Sequence, residues 1–139
     1  MLQYFKSYKE YIVINNIQVG GLFKMIIKKK RDFTPNIISD SEMKNVKFYP
    51  FITKKDGAPN FAMRLFEIGP GGHTTRHKHE WEHEVYIVSG DGNVLEGDRK
   101  IRVEKDYCIL IKPNELHQFQ AGENGLSMIC VVPNKGQPK

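Results

Sequence analysis

Histidines dominate one short stretch of the sequence, HTTRHKHEWEHEVYIVSG (residues 73–90), which holds four of the chain's five histidines. His77 and His79 are two residues apart, so on a strand their side chains face the same side. His83 follows after three residues, enough to pass a short irregular segment and enter the next strand. His117 opens a later strand-like segment, HQF. Four imidazoles from two neighbouring hairpins could surround one metal ion, and imidazole suits zinc, copper, iron and nickel and tolerates manganese.

The spacing alone leaves two other interpretations open, which are a surface loop rich in His and Glu and a set of hydrogen-bonded structural histidines. The remaining histidine, His73, lies in a glycine-rich segment and is expected to be an exposed turn residue. Four carboxylates lie near the proposed ligands in sequence. They either orient the imidazoles or, as charged side chains mostly do, remain in solvent, and we expect the second for Glu80, Glu82, Glu84 and Glu115.

Short strands separated by turn residues account for most of the chain after residue 25. Apolar or alternating segments occupy 61–68, 83–90, 100–103, 107–111, 117–120 and 126–132. Turns are predicted at 69–72, 91–93, 96–98 and 112–115, where Gly, Asn, Asp and Pro cluster. Strands at this spacing, with no long helix, predict an all-β sandwich or barrel. Residues 40–46 are predicted to form one helical turn.

Composition limits the classes of protein that fit. A chain of 139 residues is enough for one domain. Its net charge of +5 is scattered apart from KKKR (28–31), which we interpret as a solvated basic segment and not a nucleic-acid or lipid site. Cys108 and Cys130 form no disulfide framework or zinc-ribbon pattern. No apolar run reaches the ~20 residues that span a bilayer, and no signal peptide is evident, so the expected location is the cytoplasm, with no membrane or nucleic-acid partner.

Residues 1–24 differ from the rest of the chain. They are rich in Tyr, Ile, Asn and Lys, show no pattern that must pack, and end in GGLFK before Met25. Two glycines, a short gap and a methionine are what a ribosome-binding site and a start codon would give if translated. We therefore expect residues 1–24 to be an N-terminal extension upstream of the native start, and residues 25–139 to be a single domain.

Two longer motifs resemble those of the cupin family. GGHTTRHKHEWEHEVYIVSG (71–90) is similar to cupin motif 1, and KDYCILIKPNELHQF (105–119) to motif 2, with about fifteen residues between them. The flanking segments 58–72 and 128–133 are similar to those of small manganese-type cupins with four histidine ligands. A histidine, His83, stands where cupins usually have a glutamate ligand. Lys105 replaces a motif 2 glycine, and the glycine expected after Pro113 is absent.

The resemblance implies an all-β fold of the cupin type, a double-stranded β-helix or jelly-roll barrel. Matched motif by motif, it implies four metal ligands, which are His77, His79, His83 and His117. It further implies one divalent transition metal, manganese first, with iron, copper, nickel or zinc as alternatives. Four neutral imidazoles leave such an ion its full double charge, which favours an anionic ligand. The implied protein is a homodimeric small metalloenzyme with dioxygenase-like or peroxide-dependent oxidation of a small molecule. The alternative is a non-catalytic module that binds a small ligand or a metal.

Several other residues are candidates for the site. Arg64, in an otherwise apolar strand, either points into the barrel to hold an anionic substrate, as a catalytic residue, or extends outward to solvent. Cys130 either reaches the metal pocket or fills the core, and Trp81 either walls the pocket or anchors its loop. Phe119 shares the side of His117 and is expected to line the cavity. Cys108 is expected in the core.

Overall fold

The computed structural model describes residues 25–137. More than half of these residues are in strands and the helical structure among them is three one-turn 3₁₀ segments, so the all-β prediction is confirmed. The hypothesis of an N-terminal extension concerns residues outside the described range. Seven strands follow one another along the chain: β1 (Asn36–Ile38), β2 (Lys44–Ile52), β3 (Phe61–His73), β4 (His83–Glu96), β5 (Arg99–Glu104), β6 (Cys108–Ile111) and β7 (His117–Pro133).

The strands form one antiparallel sheet whose order brings distant parts of the sequence together. The order is β1-β2-β3-β7-β4-β5, and β6 pairs with β4 outside this path. Strand β7, at 17 residues the longest, pairs with β3 on one side and β4 on the other. The C-terminal strand therefore lies between the two strands that flank the histidine-rich segment.

The core is built from side chains that alternate along the strands, as expected for a sheet with one buried face. Ile87 on β4 is fully buried. Val85, on the same face of β4, and the core side chains of β2, β5 and β7 are nearly fully buried. At ~25 cal/mol per Å² of apolar surface, each such side chain contributes about 1.5–3 kcal/mol. This packed interior holds the strand ends in fixed positions.

Two of the predicted turns are wrong. The glycines there lie within strands, where they allow close contact with a neighbouring strand and do not reverse the chain. Residues 69–72 belong to β3, and 91–93 belong to β4. The pairing shifts register at these places, as at a β-bulge. A Cβ atom on Gly92 would overlap the carbonyl oxygen of Gln120 on β7. Glycine thus lets two backbones approach closely. Similarly, segments 117–120 and 126–132 form one continuous strand, β7.

Strand β6 is less buried than its sequence suggests. Cys108 is exposed, so its prediction as a core residue is wrong. Tyr107 and Leu110 are also exposed, beside Tyr86 and Val88 on β4. Among the strands of residues 25–137, β6 pairs only with β4, and one of its faces points away from the interior. An apolar run predicts a strand but does not reveal which face the rest of the protein covers.

The helical turn predicted at 40–46 is wrong: residues 40–42 form a bend and residues 44–46 begin β2. The Asp40 carboxylate accepts hydrogen bonds from the backbone N–H groups of Glu42 and Met43, both at 2.8 Å.

In the basic run, Lys28 pairs with Asp56 and Lys30 with Glu67. These contacts remove half of the run from any basic surface. No helix within residues 25–137 combines the length and apolarity that crossing a membrane requires.

Candidate metal centre

The four predicted ligands meet because three strand ends meet. His83 is the first residue of β4, and His117 is the first residue of β7. His77 and His79 lie in the segment 74–82 that joins β3 to β4. The main chains of His77 and His117 exchange two hydrogen bonds, of 3.1 and 2.9 Å. The loop that supplies two histidines is thereby attached to the strand that supplies a third.

A threonine that sequence reasoning missed anchors the start of this loop. Thr74 is buried, its backbone N–H donates to the carbonyl of Phe119 at 2.9 Å, and its Oγ1 accepts from the Phe119 N–H at 3.0 Å. The buried Gln118 side chain adds a bond to the Thr74 carbonyl at 2.8 Å. The pattern HTT in the sequence gives no signal of this role, because the partner strand is more than forty residues away.

The donor atoms of His77, His79, His83 and His117 all lie within 4.8 Å of one another. Nitrogen ligands about 2.1 Å from one ion lie at most about 4.2 Å apart, so binding requires a contraction of about half an ångström. The Nε2 atoms of His79 and His83 are already 2.5 Å apart. Two nitrogen lone pairs that face each other so closely repel unless a cation or a proton lies between them. The residues therefore fit a metal ion.

Hydrogen bonds determine which nitrogen of three rings is free. The Nδ1 atoms of His77, His79 and His117 lie 3.0, 2.6 and 2.8 Å from the carbonyl oxygens of Thr75, Trp81 and Glu115, in that order. A carbonyl only accepts hydrogen bonds, so each Nδ1 carries the proton. The lone pair of each neutral ring is then on Nε2. These bonds are the backbone counterpart of the partners that orient metal-binding histidines in proteins.

Burial disfavours the doubly protonated, charged form of three of the rings, those of His79, His83 and His117. It lowers the pKa of His83 to about 2, with the nearby Arg64 guanidinium as the next cause. It also lowers the pKa of His117 to about 4, although the bond to the Glu115 carbonyl opposes this. The pKa of His79 is lowered too, mainly by burial. Desolvation penalises the charged imidazolium, so these rings present lone pairs and not protons.

Trp81 contacts the cluster, whereas most of the carboxylates near the ligands in sequence lie in solvent. Trp81 stacks on the His79 ring, with centroids 4.4 Å apart and planes 3° from parallel. The tryptophan is half-buried and both walls the cluster and fixes a ligand through its carbonyl. Glu80, Glu82 and Glu84 are exposed, as expected. The Glu115 carboxylate caps the turn at Lys112 N, at 3.0 Å.

Arg64 and Cys130 lie behind His83, on the side of the ring that faces away from the other histidines. They are cross-strand partners on β3 and β7, and both are buried, so the alternative of an outward-pointing Arg64 is excluded. The Cys130 sulfur lies 2.9 Å from His83 Nδ1 and 3.1 Å from an Arg64 nitrogen. The catalytic role of Arg64 stays a prediction.

The last two candidates are Phe119 and His73, and the expectation that Phe119 lines the cavity stays a prediction. Phe119 is buried within the hydrophobic core and its backbone binds Thr74. His73 is half-buried and not exposed, because its Nδ1 lies 3.2 Å from the Gln118 side chain. It is not among the four convergent donors.

The fold and the histidine cluster together define the class of protein. The chain matches the cupin domain family over residues 64–132. The same sheet, with a similar sequence, occurs in the solved structure of the polyketide cyclase RemF from Streptomyces resistomycificus, at 30% identity and a TM-score of 0.76, covering 83% of each chain. The chain belongs to the cupin family, and its predicted jelly-roll barrel fold is confirmed.

Two further comparisons define how far the likeness extends. A 1-methylthio-D-xylulose 5-phosphate methylsulfurylase of Rhodospirillum rubrum is 36% identical over 72 residues, which are 50% of this chain and 46% of that protein. The chain thus matches just under half the length of this relative. A predicted oxalate decarboxylase from Thermotoga maritima shares the fold, with a TM-score of 0.69 at 21% identity, over 78% of this chain and 98% of its own.

Proposed function

We propose that this cupin is a metal-dependent enzyme that acts on a small, oxygen-bearing organic molecule. One observation carries the proposal: the four histidines converge with their donor atoms within 4.8 Å, and carbonyl bonds leave Nε2 free in three of them. An arrangement that served only to fill a core would not require four adjacent imidazoles with facing lone pairs. Cupins bind metals or small molecules, and a substrate of this kind is consistent with that.

The residues that would hold the ion are His77, His79, His83 and His117. No carboxylate belongs to this set, so the site stays electron-poor and favours an anionic oxygen such as a carboxylate or an enolate. A bound divalent metal would supply Lewis-acid chemistry and, if redox-active, electron transfer to an oxidant. Manganese is the ion that we propose first, because the motifs resemble those of manganese-type cupins. Iron, copper, nickel and zinc are the alternatives, since imidazole suits these four ions.

The reaction that we propose first is oxidation of the substrate by dioxygen or peroxide. A second candidate, a redox-neutral reaction such as ring closure, is supported by the similarity to RemF, whose name describes a polyketide cyclase. The two candidates make different demands on the metal. Zinc has no redox chemistry, so a zinc-loaded protein could support the second reaction and not the first.

The first experiment is metal content by mass spectrometry on tag-free protein. Wild type should carry about one transition metal per chain, and His83→Ala and His117→Ala should lose most of it, since each variant removes one of four ligands. His73→Ala is the matched control, because His73 lies in the same stretch but outside the convergent set. A wild type that contains no metal and takes up no added manganese, iron, copper or zinc would contradict the proposal.

A second experiment separates enzyme from binding module. Protein loaded with manganese, iron or zinc is incubated with a panel of small enols, diketones and carboxylates, while oxygen consumption and product masses are followed. Turnover with manganese or iron but not zinc supports oxidation, and turnover with zinc supports the redox-neutral reaction. Saturable binding of panel members without turnover for any metal would favour the non-catalytic alternative.

We also propose that the protein forms a homodimer. Support comes from the exposed apolar side chains on the outer face of β4 and β6, namely Tyr86, Val88 and Leu110. An apolar sheet face invites a second sheet. Sedimentation of wild type beside Leu110→Lys tests the proposal: the wild type should sediment as a dimer and the variant as a monomer, and a monomeric wild type would contradict it.

A further inference from the structure

We infer that Cys130 and Arg64 are positioning residues for His83: the guanidinium holds the Cys130 sulfur in place, and the sulfur accepts the Nδ1 proton of His83, which leaves Nε2 free for an ion. The inference rests on the proposed function, because it assumes that this Nε2 binds a metal. It assigns a role to a buried cysteine and a buried charge for which neither the fold nor the four ligands gives a reason.

The first step is a difference among the four histidines. Three rings donate through Nδ1 to backbone carbonyls, as described above. His83 has no such carbonyl within the described part of the chain, and its Nδ1 lies 2.9 Å from the Cys130 sulfur. If the thiol donated to Nδ1, the ring proton would lie on Nε2 and point at His79, 2.5 Å away. Only a sulfur that accepts is compatible with metal binding.

The second step is what fixes the sulfur in this position. Arg64 donates from a terminal nitrogen to this sulfur at 3.1 Å, whereas the same nitrogen is 3.5 Å from His83 Nδ1. A guanidinium has no acceptor atoms, so Arg64 is the donor in the shorter contact. A hydrogen bond from a charged donor is stronger than one between neutral groups, so it holds the sulfur beside His83, and a second lone pair of the sulfur accepts the Nδ1 proton.

The third step is that Arg64 has no better partner. Within residues 25–137 no carboxylate forms an ion pair with it, and its Nε atom is buried without a hydrogen-bond partner. Its other contacts are the Gly136 carbonyl at 3.5 Å and the face of Phe66, with 5.3 Å to the ring centroid. Burying a charge is costly. The hydrogen bond from Arg64 to the Cys130 sulfur, which contacts His83, gives a reason for this burial.

The test uses cobalt(II) as the probe, because its visible spectrum reports ligand orientation. Wild type, Cys130→Ala, Cys130→Ser and Arg64→Met are titrated with cobalt in a competing chelator. Cys130→Ala should bind cobalt about 10- to 100-fold more weakly with a shifted spectrum. Cys130→Ser, which keeps an acceptor, should recover most of the affinity. Arg64→Met should shift the spectrum with the sulfur intact, because the sulfur loses the bond that fixes it. The control, Cys108→Ala, removes the exposed thiol and should match wild type.

Each remaining outcome has a defined meaning. Cys130→Ala with wild-type affinity and spectrum would overturn the inference, and so would Cys130→Ser as weak as Cys130→Ala. If either cysteine variant fails to fold by circular dichroism, Arg64→Met with wild-type affinity and spectrum overturns it alone. A sulfur-to-cobalt charge-transfer band in wild type would make Cys130 a ligand and refute a positioning role. Wild type that binds no cobalt, manganese or zinc would overturn the proposed function as well, whereas the other outcomes leave it intact.

Discussion

Acidification should destabilise the metal-free protein, because two of its ligand rings are neutral only through burial. The pKa of His117 is about 4 in the folded chain, against an ordinary value of 6.5. Between these values the unfolded chain takes up a proton and the folded chain does not, so stability falls as the pH falls. From pH 7 to pH 5 this amounts to about 2 kcal/mol for His117. His83, with a folded pKa of about 2, adds about 2 kcal/mol more over the same interval.

Guanidinium unfolding in the presence of a chelator measures this effect at pH 7, 6 and 5. Wild type should lose about 4 kcal/mol of its unfolding free energy across the range, a large share of the ~5–15 kcal/mol of a typical domain. His117→Gln, which cannot titrate, should lose about 2 kcal/mol less over the same range. Asp56 and Glu67, whose pKa values are lowered, act below this interval. Equal stability of wild type at pH 7 and 5, or an equally steep loss in the variant, would refute the reasoning.

Three further changes test how the site is held. Thr74→Val leaves the buried N–H of Phe119 without its acceptor and should cost about 1–3 kcal/mol in chemical unfolding; an unchanged midpoint would contradict the anchoring role. Gly90→Ala forces a Cβ onto a residue with φ of 77° and into the carbonyl of Gly125, so the melting temperature should fall by several degrees or the protein should not fold; a wild-type melting curve would disprove the close approach. Trp81→Ala removes the ring stacked on a ligand imidazole and should weaken cobalt binding up to about tenfold, as expected for a lost aromatic pair, whereas equal affinity would show that the stack does not matter.

The sequence could name the four histidines that converge in the structure, because much of the relevant information is local. The two-residue spacing of His77 and His79 and the strand character around them are visible in one window. His83 and His117 were candidates from their spacing as well, and the family resemblance points to the same four residues. Strand existence was predictable for the same reason, since alternation and β-branched residues are properties of short segments.

Pairing between strands was not predictable, and the errors follow from this. Glycine marks both turns and close backbone approach, and only the partner strand decides which, as Gly92 beside Gln120 shows. The exposure of Cys108 depends on what covers β6. The contact between Arg64 and Cys130 joins residues 66 positions apart, so no window contains it. The sequence could name both residues as candidates but could not place them behind His83.

The hydrogen bonds behind the four rings also bear on how such a site can change over evolution. Thr75, Trp81 and Glu115 orient their histidines through main-chain oxygens, each two positions from the ring it holds. Those oxygens are present whatever side chain the codon specifies, so three of the four contacts are insensitive to point substitution. The contact to His83 depends on a side chain, Cys130. Inherited variation can therefore adjust the electronic character of the centre at one position while its geometry is preserved at the other three.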